Sequence, residues 1–342
     1  MQEEFHQVLL VGAGPGGIAI ASDLLQAGLN DVLILEKGVV GQSWQDYPPE
    51  TRLLSESNAQ NDENQVGGIP VSSVLPNIPH PSHAMYQRYL QTVVQKNQIP
   101  VLEHSTVSTV NLDPQTQEFI LQSDDQKVFR SQFLIWAAGT YLTPNESLSD
   151  KSCFIHYSRI QDWKHITDPV VTVIGGANGA TEVVLQLAAP GRKIRLLTTH
   201  FDIPLPVDCL WKENRVLVKE FEKQGLVEII EDFRVTSIHH DTTQFIIESE
   251  TGKTLYSENK PIVCIGFLPS IGPIESLVAS RMEGHDQLLD LTESHESTKQ
   301  PRLFLAGTLG KLHAGEDGFI RHFSHYGEPI VAQIQSYLQK KT

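Results

Sequence analysis

Cysteine is scarce in this chain: three in 342 residues, Cys153, Cys209 and Cys264, none near another. That spacing excludes a C-x-x-C redox pair and a cysteine zinc site. Scattered single thiols fit a reducing cytoplasm, where they serve as small buried hydrophobes. Basic residues are also short, with 26 Lys and Arg against 41 Asp and Glu and a formal net charge of −15. No basic cluster offsets the deficit, so nucleic acid is excluded as a partner, because a phosphate backbone demands a basic stripe. The acidic field serves solubility and favours a neutral or cationic small-molecule substrate. Long apolar runs are missing too. Behind the acidic start "MQEEFHQ" stands only "VLLV", too short for a signal segment or a membrane span. A cytoplasmic protein with no membrane partner is expected, long enough for two domains that each bury a core.

What is present is glycine in pattern. In "HQVLLVGAGPGGIAIASDLLQAGLNDVLILEK", Val8 to Val11 reads as a strand buried on both faces. Gly12, Gly14 and Gly17 follow in G-x-G-x-x-G spacing: a tight turn, a close approach for pyrophosphate, and close packing of helix on strand. Ile18, Ala21, Leu24 and Leu25 make a helical stripe that Gly28 ends. Glu36 closes the second strand, where a carboxylate grips ribose hydroxyls. An unphosphorylated adenosine ribose, as in NAD or FAD, is implied, and the motif alone does not choose between them.

A second glycine turn lies in "VTVIGGANGATEVVLQLA". Its close-approach position is Ala177, so the turn is either obstructed or shifted by a residue to use Gly175, Gly176 and Gly179. The helix after it, with Val183, Val184 and Leu187 on one side, is secure. Each turn is followed by the same pattern. "VLEHSTVSTVNLDPQTQEFILQSDDQKVFRSQFLIWAAG" reads as a strand, three antiparallel strands and a last strand ending in Ala137, Ala138 and Gly139. "VEIIEDFRVTSIHHDTTQFIIESETGKTLYSENKPIVCIGFLP" repeats it, ending in Ile265 and Gly266. The fold class expected is α/β, with two Rossmann-like dinucleotide-binding domains, each with a β-meander and the second inserted into the first.

That arrangement resembles the two-dinucleotide-binding flavoproteins, the pyridine nucleotide-disulfide oxidoreductase-like group. The resemblance implies a discontinuous FAD domain over 1–165 and 268–342 and an NAD(P)H-type domain over 166–267. The tail "QPRLFLAGTLGKLHAGEDGFIRHFSHYGEPIVAQIQSYL" would complete the FAD domain as a strand, a glycine turn and a long final helix starting near Asp317 to Phe319. "GVVGQSWQDYPPETRLLSES" is similar to the flavin monooxygenase stretch that lies near the flavin, here with Gly41, Gln42, Ser43 and Trp44. The same stretch, the second turn "GGANGATE" and the tail are also similar to bacillithiol disulfide reductases.

By that resemblance FAD falls to Gly12, Gly14, Gly16, Gly17, Glu36, Lys37, Gln42, Trp44, Val107, Ala138, Gly139, Gly307, Thr308, Phe319 and Ile320. NAD(P)H falls to Gly175, Gly176, Ala177, Asn178, Gly179, Thr199 and Gly266, with a silent structural copy as the alternative. The position after the second strand carries Thr198, Thr199 and His200, with neither an arginine fork nor an acid, and NADH is slightly favoured. His313 and His156 are candidate proton donors, and Trp44 a shield for the flavin. His322 and His325 read as surface or dimer-contact residues. The chain departs from the resemblance in three places. Gly16 stands where the bacillithiol disulfide reductases are thought to carry a cysteine; Thr308 replaces a ribitol-binding aspartate; of the Baeyer–Villiger signature only His156 remains. The reading is an FAD-dependent NAD(P)H oxidoreductase, homodimeric by resemblance. It is flavin monooxygenase-like and acts on a small nitrogen- or sulfur-containing molecule. The alternatives are a reductase of a small thiol- or disulfide-like acceptor, and a non-catalytic flavin-binding partner or sensor. The 41–95 insertion, rich in Ser, Pro, Asn and Gln, is expected to form the substrate pocket wall.

Overall fold

The computed structural model describes residues 3–340 except 59, 61, 149, 202–209, 284–285 and 314–319. The chain divides into two compact units, one of residues 1–45, 56–142 and 269–342 and one of 46–55 and 143–268.

The first unit begins with β1 (Glu3–Val11), α1 (Pro15–Gln26), β2 (Val32–Leu35), α2 (Gln42–Gln45), α3 (Val71–Val74), α4 (His83–Lys96), β3 (Val101–Leu102), β4 (Val107–Leu112), β5 (Phe119–Ser123) and β6 (Val128–Trp136). Its sheet runs β3-β2-β1-β6-β5-β4. α1 starts on Pro15, which loses nothing at a first helical position. It buries Ile18, Ala21 and Leu24 completely. α4 is capped by Ser82, whose Oγ accepts the Met85 N–H. Tyr86, Tyr89, Leu90 and Val93 form its buried stripe. Both tyrosines pin the insertion to that helix: the Tyr89 hydroxyl takes the Val66 N–H and donates to the Ile69 carbonyl, each at 2.6 Å, and the Tyr86 hydroxyl donates to Asn64 O at 2.9 Å.

One expectation changes here. β6 is a single nine-residue strand that serves as both the third meander strand and the return strand. Its first half pairs antiparallel with β5 and its whole length lies parallel to β1.

The second unit holds β7 (Ile155–His156), β8 (Val170–Ile174), α5 (Asn178–Ala188), β9 (Lys193–Leu197), α6 (Leu210–Lys223), β10 (Val227–Ile230), β11 (Val235–His240), β12 (Phe245–Ser249), β13 (Thr254–Ser257) and β14 (Ile262–Val263). Its parallel sheet runs β10-β9-β8-β14-β7, and β11-β12-β13 form a separate sheet. Here the strand is split where "SENKP" intervenes, because Pro261 has no N–H to give a ladder. Residues 143–165, assigned by sequence to the FAD domain, lie in this unit, since β7 adds parallel to β14. One face of the parallel sheet packs Val171, Val173, Ile194 and Leu196 against Val183, Val184 and Leu187 of α5. The other packs Ile174, Leu197 and Val263 against Phe233, Ile238 and Ile247.

The chain then returns to the first unit through the hairpin β15 (Ser280–Glu283) and β16 (Asp286–Leu289), then β17 (Leu303–Leu305), which pairs parallel with the end of β6. The long final helix starts later than expected. α7 spans Gly327–Gln339, and Ile320–His325 before it is a short 3-10 stretch. Asp317 and Phe319 lie outside the described residues. Tight 3-10 turns leave the α-helical ladder, so Ile320 does not begin a long helix dipole.

Leu187→Ala should cost about 2–5 kcal/mol, because it empties a fully buried site between α5 and the sheet. Val216→Ala, at 58% exposure on α6, should change stability by less than about 0.5 kcal/mol. Denaturant melts of the two variants against the parent check both.

Candidate functional site

The carboxyl ends of β1, β2, β6 and β17 converge on the first glycine turn. The Gly12 N–H donates to Leu35 O at 2.9 Å, and Val11 O accepts the Ala137 N–H at 2.8 Å. Gly12 has φ +105°, and a Cβ there would stand 2.6 Å from Ala137 O. Gly16 is closed in as well: its Cβ would stand 2.5 Å from Gly307 Cα. Gly14 is different. It is the N-cap of α1 with φ −83°, ψ −179°, and a Cβ would meet nothing within 4 Å. The open space lies over helix N–H groups, where a pyrophosphate binds.

Around that opening the residues fit an adenosine diphosphate. Glu36 is buried and its carboxylate accepts the Ala13 N–H at 2.7 Å and the Gly38 N–H at 3.0 Å. Burial pushes its pKa up against those two donors. Each oxygen keeps a lone pair for a ribose hydroxyl. The Thr308 Oγ1 is buried with no hydrogen-bond partner among the described residues. Ser105 Oγ is also an orphan, and the Ser105 N–H donates to Glu36 O at 2.8 Å. Ser105 was missed in the sequence because a serine before a strand carries no signal of its own.

The second turn repeats the first in the same register. The Gly175 N–H donates to Leu197 O at 2.9 Å, and Ile174 O accepts the Cys264 N–H at 2.7 Å. Ala177 is the N-cap of α5 at φ −91°, ψ −174°, matching Gly14. Of the two alternatives left open by the sequence, the shift to Gly175, Gly176 and Gly179 therefore does not occur. Gly176 is instead pressed against Thr198 Oγ1, and Gly179 against the Tyr157 ring. The backbone at Ala177 is ordinary extended chain that any residue adopts. Its methyl stands exposed where the first turn leaves open space. Beside this turn is a cavity of about 260 Å³ lined by Gly175, Thr198, Thr199 and Ile265, among others.

A protein-family model described as pyridine nucleotide-disulphide oxidoreductase matches residues 9–307. The chain belongs to that family. Among curated relatives, the uncharacterized oxidoreductase CzcO of Bacillus subtilis is 23% identical over 194 residues, 54% of this chain and 52% of that protein. The chain thus spans about half the length of that relative. Among solved structures, bacillithiol disulfide reductase Bdr from Staphylococcus aureus has a TM-score of 0.79 at 23% identity, covering 100% of both chains. A flavin-containing monooxygenase from Stenotrophomonas maltophilia has a TM-score of 0.76 at 18% identity, covering 98% of this chain and 99% of that one.

The sequence-selected histidines behave differently from one another. His156 is 1% exposed. Its Nε2 lies 3.1 Å from Gly266 O and its Nδ1 2.8 Å from Ser158 Oγ. One neutral tautomer satisfies both, with Nε2–H donating and Nδ1 accepting, and burial lowers the pKa. The ring bolts β7 to the Gly266 turn, which corrects its candidacy as a proton donor: both nitrogens are already engaged. His313 is exposed, in the loop before the undescribed 314–319. His322 and His325 stack at 6.1 Å in the 3-10 stretch. Trp44 is half-buried, edge-on to Tyr86 with ring centroids 4.6 Å apart, and its carbonyl lies 2.7 Å from His83 Nδ1. Lys37 is exposed, and Gln42 Oε1 accepts the Val39 N–H at 3.2 Å. Val107 is core, while Ala138 and Gly139 sit half-buried at the end of β6. Cys153 and Cys264 are buried, and burial drives the Cys264 thiol well above its ordinary pKa. Cys209 lies outside the described residues.

One acid was overlooked. Glu182 sits in the first turns of α5, its carboxylate accepting from Asn178 Nδ2 at 2.9 Å, and burial pushes its pKa up to about 7. Tyr47, which faces the same carboxylate, rises to about 12, mainly through burial. The signal was a lone glutamate inside the apolar stretch "TEVVLQLA".

Because Glu182 holds its proton longer folded than unfolded, its contribution to stability is complete below about pH 4.5 and is lost as pH rises through about 7. Glu182→Gln should gain on the parent by on the order of 1–3 kcal/mol between pH 5 and 8, read as a growing difference in thermal midpoint. Gly16→Ala should lower both stability and retained flavin, since its Cβ has only the Gly307 backbone to move. The flavin-to-protein absorbance ratio after gel filtration checks it.

Proposed function

We propose that this oxidoreductase is FAD-dependent, takes electrons from NAD(P)H, and is flavin monooxygenase-like, acting on a small nitrogen- or sulfur-containing molecule. A cytoplasmic homodimer completes the reading. The observation that carries it is the repeated register: both glycine turns make the same pair of backbone hydrogen bonds to the neighbouring strands. A turn kept to that detail twice supports two dinucleotides, FAD at the first and NAD(P)H at the second.

Bound FAD would supply the two-electron chemistry between nicotinamide and acceptor. The chain's own residues hold and orient it. Glu36 takes the ribose hydroxyls on its spare lone pairs, the space over Gly14 admits the pyrophosphate, and the orphan Thr308 hydroxyl answers a polar group of the cofactor. Thr308 is neutral, so its hydrogen bond is weaker than that of a carboxylate. Lys37, Gln42, Val107, Ala138, Gly139 and Gly307 border the same opening in this reading, with Trp44 excluding water.

The monooxygenase side is supported by the thiols. Cys264 and Cys153 are buried, and position 16, where a redox cysteine would sit, admits no Cβ beside Gly307. A reductase of a small acceptor, acting without a redox cysteine, is the second reading, and the likeness to the S. aureus reductase over both whole chains favours it. Ala177 and Thr308 motivate the third, a non-catalytic flavin-binding partner or sensor, and the retained register of both turns counts against that.

Anaerobic titration of the FAD-loaded protein with NADH and NADPH should bleach the flavin absorbance. Readmitted air should then consume oxygen faster with small amines or thioethers than without them. If neither nucleotide bleaches the flavin, the second turn is a structural copy. Bleaching followed by reoxidation through disulfides rather than oxygen makes the protein a reductase.

A further inference from the structure

The end of the second ribose site is built from different residues than the first. Gly12 and Gly175 both donate to the last residue of the neighbouring strand, Leu35 and Leu197, so Glu36 corresponds to Thr198. Where Glu36 turns its carboxylate back to the glycine turn, Thr198 spends its hydroxyl on the His200 carbonyl at 3.1 Å. Among the described residues that line the cavity beside it, none is a carboxylate able to accept from a ribose 2′-hydroxyl.

A cation does stand there. The chain after β10 folds back along the end of β9: the Asp232 N–H donates to Thr199 O at 3.1 Å and the Phe233 N–H to Thr198 O at 3.0 Å. Side chains then alternate, with Phe233 and Val235 in the core and Arg234 outside. Among the described residues, Arg234 is the one charged residue lining the cavity beside Gly175, Thr198 and Thr199. Its partner is Glu250, with Nε to Oε2 at 3.6 Å and both side chains about half-exposed. An exposed ion pair of that length is weak and exchanges readily for a better anion.

We infer that this cavity is a 2′-phosphate subsite and that Arg234 makes the second nucleotide site prefer NADPH to NADH. The inference rests on the nicotinamide reading of that site and reverses the preference drawn from Thr198, Thr199 and His200 alone. A dianionic 2′-phosphate replaces Glu250 on the guanidinium and meets the Thr199 hydroxyl. A ribose bearing only a 2′-hydroxyl finds no acid among the described residues of the cavity wall.

The test is calorimetric binding of 2′,5′-ADP and 5′-AMP to the FAD-loaded protein, where the first site is filled. The parent should bind 2′,5′-ADP at least about tenfold more tightly than 5′-AMP, and less so at high salt. Arg234→Ala should erase that ratio while leaving 5′-AMP affinity and the circular dichroism unchanged. Glu250→Gln should widen it. Equal affinities in the parent, or an unchanged ratio in Arg234→Ala, overturn the inference and leave the nicotinamide site standing. Binding of neither ligand to the parent overturns both.

Discussion

Backbone meets backbone at the carboxyl edge of the first sheet, and the rest of that site depends on it. Gly12 lies against Ala137, Gly17 against Gly12 and Gly16 against Gly307, each too close for a side chain. The contacts draw β1, β6 and the segment after β17 to one point although they come from distant parts of the chain. The α1 N–H groups are thereby aimed at the single open position, Gly14. A phosphate is bound by donors held in place before it arrives, so this packing is part of the affinity. It also restricts chemistry: a cysteine at position 16 would have to push the Gly307 backbone aside.

The second site keeps the backbone of the first and changes its side chains. Ala177 takes the conformation of Gly14 and adds a methyl, while Thr198 replaces Glu36 and hydrogen-bonds locally. Such changes leave the fold intact because the N-cap conformation at Ala177 is ordinary extended chain. They alter which nucleotide fits, through the volume left over the turn and the charge beside the ribose. Glu182 adds a half-buried acid to the same helix, with Asn178 and Tyr47 around it. The net charge of −15 makes every local cation in such a site count, since the long-range field repels an anionic nucleotide.

Much of this was legible in the residues. Glycine spacing, the apolar period of α1 and α5, the terminal acid Glu36 and the duplicated meander are local patterns, set by turn sterics and by the 3.6- and 2-residue periods. The boundaries of the return strands were less so. "VFRSQFLIW" forms one strand and "TLYSENKPIV" two, a difference written in Pro261 but visible only beside the pairing partners. The late start of α7 was hidden because the earlier start was implied by the resemblance alone, and Ile320–His325 adopts the tighter 3-10 form.

The sequence by itself determined the family-level architecture: two glycine turns, each on a strand and a helix, with a carboxylate at one ribose end and none at the other. Tertiary structure alone decided the shape and chemistry of what surrounds them. It put Gly307 against Gly16, spent both nitrogens of His156 on Ser158 and Gly266, and set Arg234 and Thr199 on the wall of one cavity. The reason is the range of the interactions. Turn geometry and amphipathic period act between residues a few positions apart and so leave a mark in the sequence. Contacts between segments far apart in the chain have no period, and they exist only once the sheets have set strand ends side by side.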